Sequence, residues 1–557
     1  MPTVTMDRDD LFGILGKAVD MDRLLSDLTS LKCEVQAVEG DEITVEVTPD
    51  RPDLFSTEGI AVALKGLEGF EVGPPKIRVQ RGVVTATIDK SVKGVRPCVA
   101  FSEVLGLRLS NEAVRQIMQL QEKLHETYCR HRRKVSIGIH DKDAITPRIN
   151  YLALKPDEIR FVPLGETREM SGSEILDLTP KGVQYGHIIR PFDRYPLLVD
   201  DEGTVLSMPP IINSIHTVVT ESTRNIFVDV TGTDKKLVDN VLSIMTLALL
   251  QRGRQVRNVR VKDSGRVYHT PDLSPAEMEL SRDYVNQITG LSMSAREIKG
   301  LLQRMRLGVK LVDSDRLRVL VPAYRSDVLH EIDLVEDVLM VYGYDNVEPE
   351  YPSIATIGRE SADAEAIRRV RDLMVGFGFQ EVLNYMMSNE EVLFTRMRLS
   401  PEKIVRVANP VSQTYSTLRN WLLPCLLNFL SFNKHAPFPQ KIFECGDVVT
   451  VDGREETGTR SVVKLAAAIS DSKVSYEGVQ AIIYSLLPSL GVKKWTLKPI
   501  RHRSFLKGRG AGIVVRNSEL GVLGEIHPEV LTNFQLDMPV AAFEVDLSQV
   551  SGLGAWR

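Results

Sequence analysis

Asp327, Asp333, Glu336 and Asp337 crowd one short stretch of this 557-residue chain, between Arg325 and Tyr344. A helix starting near Asp327 would set the last three at i, i+3 and i+4, on one face and within a turn of each other. Carboxylates that close repel unless a cation, a basic partner or water screens them, and hard oxygen ligands of this kind suit magnesium or calcium. Acids at a helix start equally complement the macrodipole on a solvated face, so the spacing by itself leaves both open.

Other candidate chemistry is easier to exclude. Cys33, Cys98, Cys129, Cys425 and Cys445 are scattered, with none paired at metal-ligand spacing. Reduced thiols are therefore expected, not a zinc site or a disulfide framework. A net charge of −5 and a pI near 6.1 exclude a uniformly basic nucleic-acid coat. Three basic clusters remain as candidate phosphate tracks: Arg130 to Lys134, Arg252 with Arg254, Arg257, Arg260 and Lys262, and Lys493 to Arg509. Solvated or partner-facing surface explains them equally well, and Trp495 and Phe505 suit a core as much as base stacking. No apolar run is long enough to span a membrane, and the start lacks a signal-peptide layout. A cytoplasmic protein of several domains is expected.

The elements that must position such groups are legible in the apolar spacing. Helices are expected over 7–15, 22–31 and 56–67, with Ile43, Val45 and Val47 alternating as a strand that ends in the two-proline turn 48–53. Val135, Ile137 and Ile139 form a strand, and a helix from Asp234 carries Leu237, Val241, Ile244, Met245 and Ala248. Ser294 to Glu297 is a capping box before Ile298, Leu301, Leu302 and Met305. Leu317, Val319 and Val321 form a strand delivering Asp327 to the acid helix. An amphipathic helix with Ile367, Val370, Leu373 and Met374 opens the last region.

Pro322-Ala-Tyr-Arg-Ser-Asp327, with Glu331-Ile-Asp-Leu-Val-Glu-Asp337 and Tyr342-Gly-Tyr-Asp345, resembles the B5 domain of the phenylalanyl-tRNA synthetase beta-subunit family. Thr48-Pro-Asp-Arg-Pro-Asp-Leu54 resembles that family's first domain. Gly138-Ile-His-Asp141, Leu206-Ser-Met-Pro-Pro-Ile-Ile-Asn-Ser214 and Ile226-Phe-Val-Asp-Val-Thr-Gly232 resemble its B3/B4 module in the archaeal and eukaryotic form. Ala408-Asn-Pro-Val-Ser-Gln413, Lys441-Ile-Phe-Glu-Cys-Gly446 and Leu523-Gly-Glu-Ile-His-Pro-Glu-Val530 resemble its catalytic-like domain.

The resemblance implies a multidomain α+β chain: an N-terminal α/β, B1-like domain (1–75), a B3/B4 editing module (76–262), a B5 domain (269–346), and a C-terminal class II synthetase-like antiparallel sheet domain lacking catalytic motifs (361–557). It implies a beta subunit of phenylalanine–tRNA ligase in an alpha2beta2 tetramer. The alpha subunit would use ATP to join phenylalanine to tRNA(Phe). Mg2+, shared with alpha, would be held by Asp327, Asp333, Glu336 and Asp337. The B3/B4 module implies hydrolysis of mischarged tyrosyl-tRNA(Phe), with Ser207, Asn213, Asp229 and Thr231 as candidates by position and Leu198 as a pocket wall. His140 and His216 are secondary candidates. No Ser/His/Asp triad signature appears, so water is the expected attacker. Lys441 to Gly446 lacks the arginine of a class II phosphate grip, and no Gly-rich arginine motif follows, so no synthetic site is expected here. The absence of an inserted RNA-binding barrel and of a C-terminal anticodon module suggests the shorter archaeal type. A free-standing aminoacyl-tRNA deacylase and a non-catalytic scaffold are the alternatives.

Overall fold

The structure, a computed structural model, describes residues 2–550 and separates into two compact units that meet at residues 351 and 352. The first of these units holds everything up to residue 351, and the second everything from 352 onward.

Strands Thr3–Asp7, Glu42–Val47 and Cys33–Glu39 lie side by side as an antiparallel sheet at the start of the first unit. Alternation buries Val4, Met6, Ile43, Val45 and Val47 against Leu11, Leu24 and Leu28 of two helices, Arg8–Leu15 and Met21–Ser30. Asp7 and Asp20 cap those helices, each carboxylate accepting a first-turn amide. Ser56 caps Thr57–Leu67 in the same way. The turn before it packs so tightly that a Cβ on Gly59 would strike the Asp53 carbonyl.

A ten-stranded mixed sheet follows. Its order is Ile212–Asn213, Val205–Met208, Tyr195–Asp200, Arg148–Leu154, Val79–Ile88, Gln255–Asp263, Cys98–Leu105, Asn225–Gly232 and Val135–Asp141, with Arg266–Thr270 off the path. Val79–Ile88 runs parallel to both neighbours, and the other pairings are antiparallel. Period-two alternation sorts its faces. Ile137, Ile139, Val228 and Val230 pack with helices Asn111–Glu126 and Lys235–Leu250, while Phe101, Phe227, Tyr151, Leu198 and Leu206 form a separate inner core. The sheet curls until its end strands meet, Asn213 Nδ2 donating to the Ile139 carbonyl at 3.3 Å.

The last part of this unit has a three-stranded sheet, Ala276–Ser281, Arg316–Val321 and Gly308–Leu311, and the Ser294 capping box opens helix Ala295–Arg304. One boundary differs from expectation: the acid helix spans Glu331–Tyr342, starting four residues after Asp327. Asp327 lies in the preceding loop, held by the Arg325 guanidinium, and Asp333 fixes the start by accepting the His330 amide.

In the second unit, a seven-stranded sheet is antiparallel except where Gln380–Glu381 runs beside Gln440–Val451. Phe443, Cys445, Leu465 and Ala467 bury one face with helices Ala362–Gly376 and Tyr476–Ser489. Ile442, Ala466 and Ala468 bury the other with Leu423–Phe432. All five cysteines are free, and among the described residues no helix is long and apolar enough to cross a membrane.

Candidate functional site

A cavity of about 270 Å³ opens where the curled sheet's ends meet helix Asn111–Glu126. Ser207, Asn213 and Asp229 line it, so three of the four candidate residues from distant segments come together. Thr231 does not line it; it lies fully buried beside Ser136, which does. Leu198 is fully buried in the inner core and is not among the residues that line the cavity. Leu198 pairs with Tyr151 on one side and with Ser207 on the other, so its side chain shares a sheet face with Ser207, which does line the cavity. His216 is exposed and outside the cavity.

Asp229 is 1% exposed, and its Oδ2 accepts from His140 Nε2 at 2.7 Å, while His140 Nδ1 contacts Thr217 Oγ1 at 2.8 Å. Both ring nitrogens of His140 are thus engaged, and the ring, fully buried and not itself lining the cavity, fixes the carboxylate's angle. The facing residue, Gly138, makes this possible, because a Cβ there would fall on Asp229 Oδ2. Ser207 Oγ finds no hydrogen-bond partner within the chain despite its burial. No base touches it, so it is not an activated nucleophile but a hydroxyl left for a ligand or water.

Sequence reasoning missed the charged edge of this cavity. Glu122 Oε1 accepts from Arg132 Nη2 at 2.7 Å and from Lys181 Nζ at 3.3 Å. Burial alone would raise the Glu122 carboxyl, but His125, Arg132 and Lys181 outweigh it and hold it down to about 2. Burial in turn lowers His125 to about 4, its Nε2 accepting the Ile137 amide. Arg132 also donates to the Pro210 and Ile211 carbonyls. It is aimed inward by three successive left-handed residues, Arg130, His131 and Arg132, with φ of 53°, 51° and 63°. The basic run signalled charge at this place, yet nothing in it marked Arg132 as buried. Another basic candidate, Arg252, is likewise internal, bound to Asp10 and Glu58.

The four acids of the B5-like segment do not converge. Arg325 Nη2 lies 2.8 Å from both Asp327 Oδ2 and Asp337 Oδ2, so one buried guanidinium takes two of them. Arg325 and Arg51 hold the Asp327 carboxyl below its ordinary range against the pull of burial, whereas burial dominates at Asp337 and pushes it up. Asp333 Oδ2 accepts the Leu329 and His330 amides, and Glu336 pairs with Lys32 at 2.9 Å. Among the described residues no three His, Cys, Asp or Glu side chains are grouped as a metal site. Each of the four carboxylates is thus engaged by a donor of this chain, and a magnesium ion held by them would displace Arg325, Lys32 or the Leu329 and His330 amides.

Three family descriptions match the chain in order: the B3/4 domain over residues 89–267, the tRNA synthetase B5 domain over 278–344, and the phenylalanyl-tRNA synthetase beta chain CLM domain over 347–547. Together they define a chain of tRNA-synthetase modules. The phenylalanine–tRNA ligase beta subunits of Thermococcus sibiricus and Pyrococcus furiosus are 41% and 42% identical to it over 553 residues, covering 98% of this chain and 98–99% of theirs. A solved N-terminal fragment of the phenylalanyl-tRNA synthetase beta subunit from Pyrococcus horikoshii is 41% identical, with a TM-score of 0.60, and covers 62% of this chain and 100% of that one. The chain belongs to the phenylalanine–tRNA ligase beta-subunit family.

Proposed function

We propose that this chain supports a phenylalanine-activating alpha chain in an alpha2beta2 ligase and clears tyrosine wrongly attached to tRNA(Phe). The observation that supports the second activity is the cavity, where Asp229, locked by His140, sits with Ser207, Ser136 and Asn213. A buried, oriented acceptor recognises a hydroxyl that phenylalanine lacks, and a site built around such a group discriminates far more strongly than one that measures shape. Ser207 and Asn213 offer hydrogen bonds for an attacking water or the ester, and the Glu122–Arg132 pair sets a charged edge where the tRNA end would enter. The ester is cleaved by water, since no hydroxyl in the cavity has a base beside it.

Support for leaving synthesis to a partner comes from the Gln440–Val451 strand. The phosphate grip of a class II enzyme needs a free arginine fork, whereas Arg419, the arginine at this strand, is spent on Glu444 at 2.6 Å and on the Asp447 carbonyl. ATP, phenylalanine and a complete magnesium site would thus belong to the alpha chain or the assembled ligase, in the cytoplasm.

The test uses the chain co-purified with its partner and assayed for phenylalanylation of tRNA and for hydrolysis of tyrosyl-tRNA(Phe). Asp229→Ala should cut hydrolysis by about 100-fold, the scale of removing a buried charged hydrogen-bond acceptor, and spare charging. Normal deacylation by that variant would refute the editing role. Hydrolysis without any charging in the complex would favour a free-standing deacylase, and neither activity would favour a scaffold.

A further inference from the structure

Arg96 is 2% exposed and, among the described residues, has no carboxylate ion-pair partner. A buried arginine left without an anion is costly and must be repaid by hydrogen bonds. Its donors go instead to one patch behind the cavity: Nε to Thr231 Oγ1 at 3.0 Å, and Nη2 to Ser136 Oγ at 3.1 Å, the Thr231 carbonyl at 2.8 Å and the Arg132 carbonyl at 3.3 Å. Ser136 and Thr231 face each other across antiparallel strands, hydroxyl to hydroxyl at 2.9 Å.

This network dictates where the hydroxyl protons point. Both oxygens accept from Arg96, which has no lone pair to take a proton back. Thr231 is fully buried, so its proton must find an acceptor or leave an orphaned donor costing about 1–3 kcal/mol, and Ser136 Oγ is the acceptor within reach. With Thr231 donating to Ser136, the Ser136 proton has no acceptor among the described residues and turns toward the cavity that Ser136 lines. Asp229 stands on the same wall, diagonal to Ser136 across the strand pair, since Asp229 faces Gly138 and Thr231 faces Ser136. A donor thus sits one step along the wall from an acceptor.

We propose that Ser136 is a specificity-determining donor of this cavity, oriented through Thr231 by the positioning residue Arg96, and that with Asp229 it selects a side chain bearing a phenol hydroxyl. The hydroxyl donates to Asp229 and accepts from Ser136, so the ligand's one proton and one lone pair are both engaged. The proposal rests on the editing function above and names the pair of groups that reads the substrate.

The assay compares hydrolysis of tyrosyl-tRNA(Phe) and phenylalanyl-tRNA(Phe) by the co-purified ligase carrying Ser136→Ala, Ser136→Thr or Thr231→Val. Thermal melts check that each variant folds. Ser136→Ala is expected to lower tyrosyl-tRNA hydrolysis roughly tenfold, the scale of one lost hydrogen bond to a buried group, while hydrolysis of phenylalanyl-tRNA is unchanged. Ser136→Thr keeps the donor and restores discrimination. Thr231→Val frees the serine proton to turn and gives a partial loss. An unchanged preference in Ser136→Ala, or an equal fall for both substrates, overturns the proposal while leaving Asp229 and the editing function standing. No tyrosyl-tRNA hydrolysis by the parent ligase sinks both.

Discussion

Single side chains decide both the chemistry of the pocket and part of the chain's pH response. Asp27 and Glu68 are neighbouring carboxyls, faced by Arg23 and Arg304; burial first, then Glu68, pushes Asp27 up to about 7, while Glu68 is drawn down. An acid whose folded value is raised stabilises the fold below its unfolded value, and that contribution fades as pH climbs through the folded value. The window here runs from about pH 4 to 7. Asp27→Asn should melt above the parent at pH 8 and lose that advantage at pH 5, and thermal melts across this range that run parallel would refute the assignment. The site's residues were only partly legible from sequence. Asp229, Ser207 and Asn213 could be singled out because they sit in motif-bearing segments, but Glu122, Arg132, Ser136 and Arg96 become a site only through tertiary pairing across the curled sheet. Polar residues in strands and basic runs look the same whether they face water or a cavity.

Whole elements were more legible, because period and caps are local. Alternation at Ile43, Val45 and Val47 and at Leu317, Val319 and Val321 places strands whose buried faces match, and the Ser294 box starts its helix where both reciprocal hydrogen bonds occur. The acid helix shows the limit: its start is set not by the acids' spacing but by Arg325, which folds Asp327 back into the loop, and by Asp333, which reaches the amides of Leu329 and His330. Asp333 in this geometry caps a helix, satisfying donors that would otherwise lack a partner. Asp333→Ala should therefore cost about 1 kcal/mol of stability, the usual scale for a lost cap. The loss should be the same with magnesium or with a chelator. A loss that appears only with magnesium would return Asp333 to the role of a metal ligand.

At the scale of the molecule, the division near residue 351 has a physical basis within each part. Apolar clusters below it, with the side chains packed against them, run no further than Tyr342, and those above it begin at Ala366. Between them residues 347–361 are almost wholly exposed and form neither helix nor strand. Cooperative unfolding follows a shared core, and a segment with no buried face gives proteases the access that packed elements deny. The B3/B4-like and B5-like segments carry separate sequence motifs yet share the core that joins Leu24, Val241 and Leu334, a sharing that motifs do not reveal. Limited proteolysis of the folded chain should cut first within 347–361, and a fragment of residues 1–351 should be soluble and unfold in one transition, keeping the Asp229–His140 pair because every residue of the cavity lies inside it. First cuts inside 2–346, or a fragment that melts broadly without a cooperative transition, would mean that the N-terminal cores do not suffice to hold the pocket together.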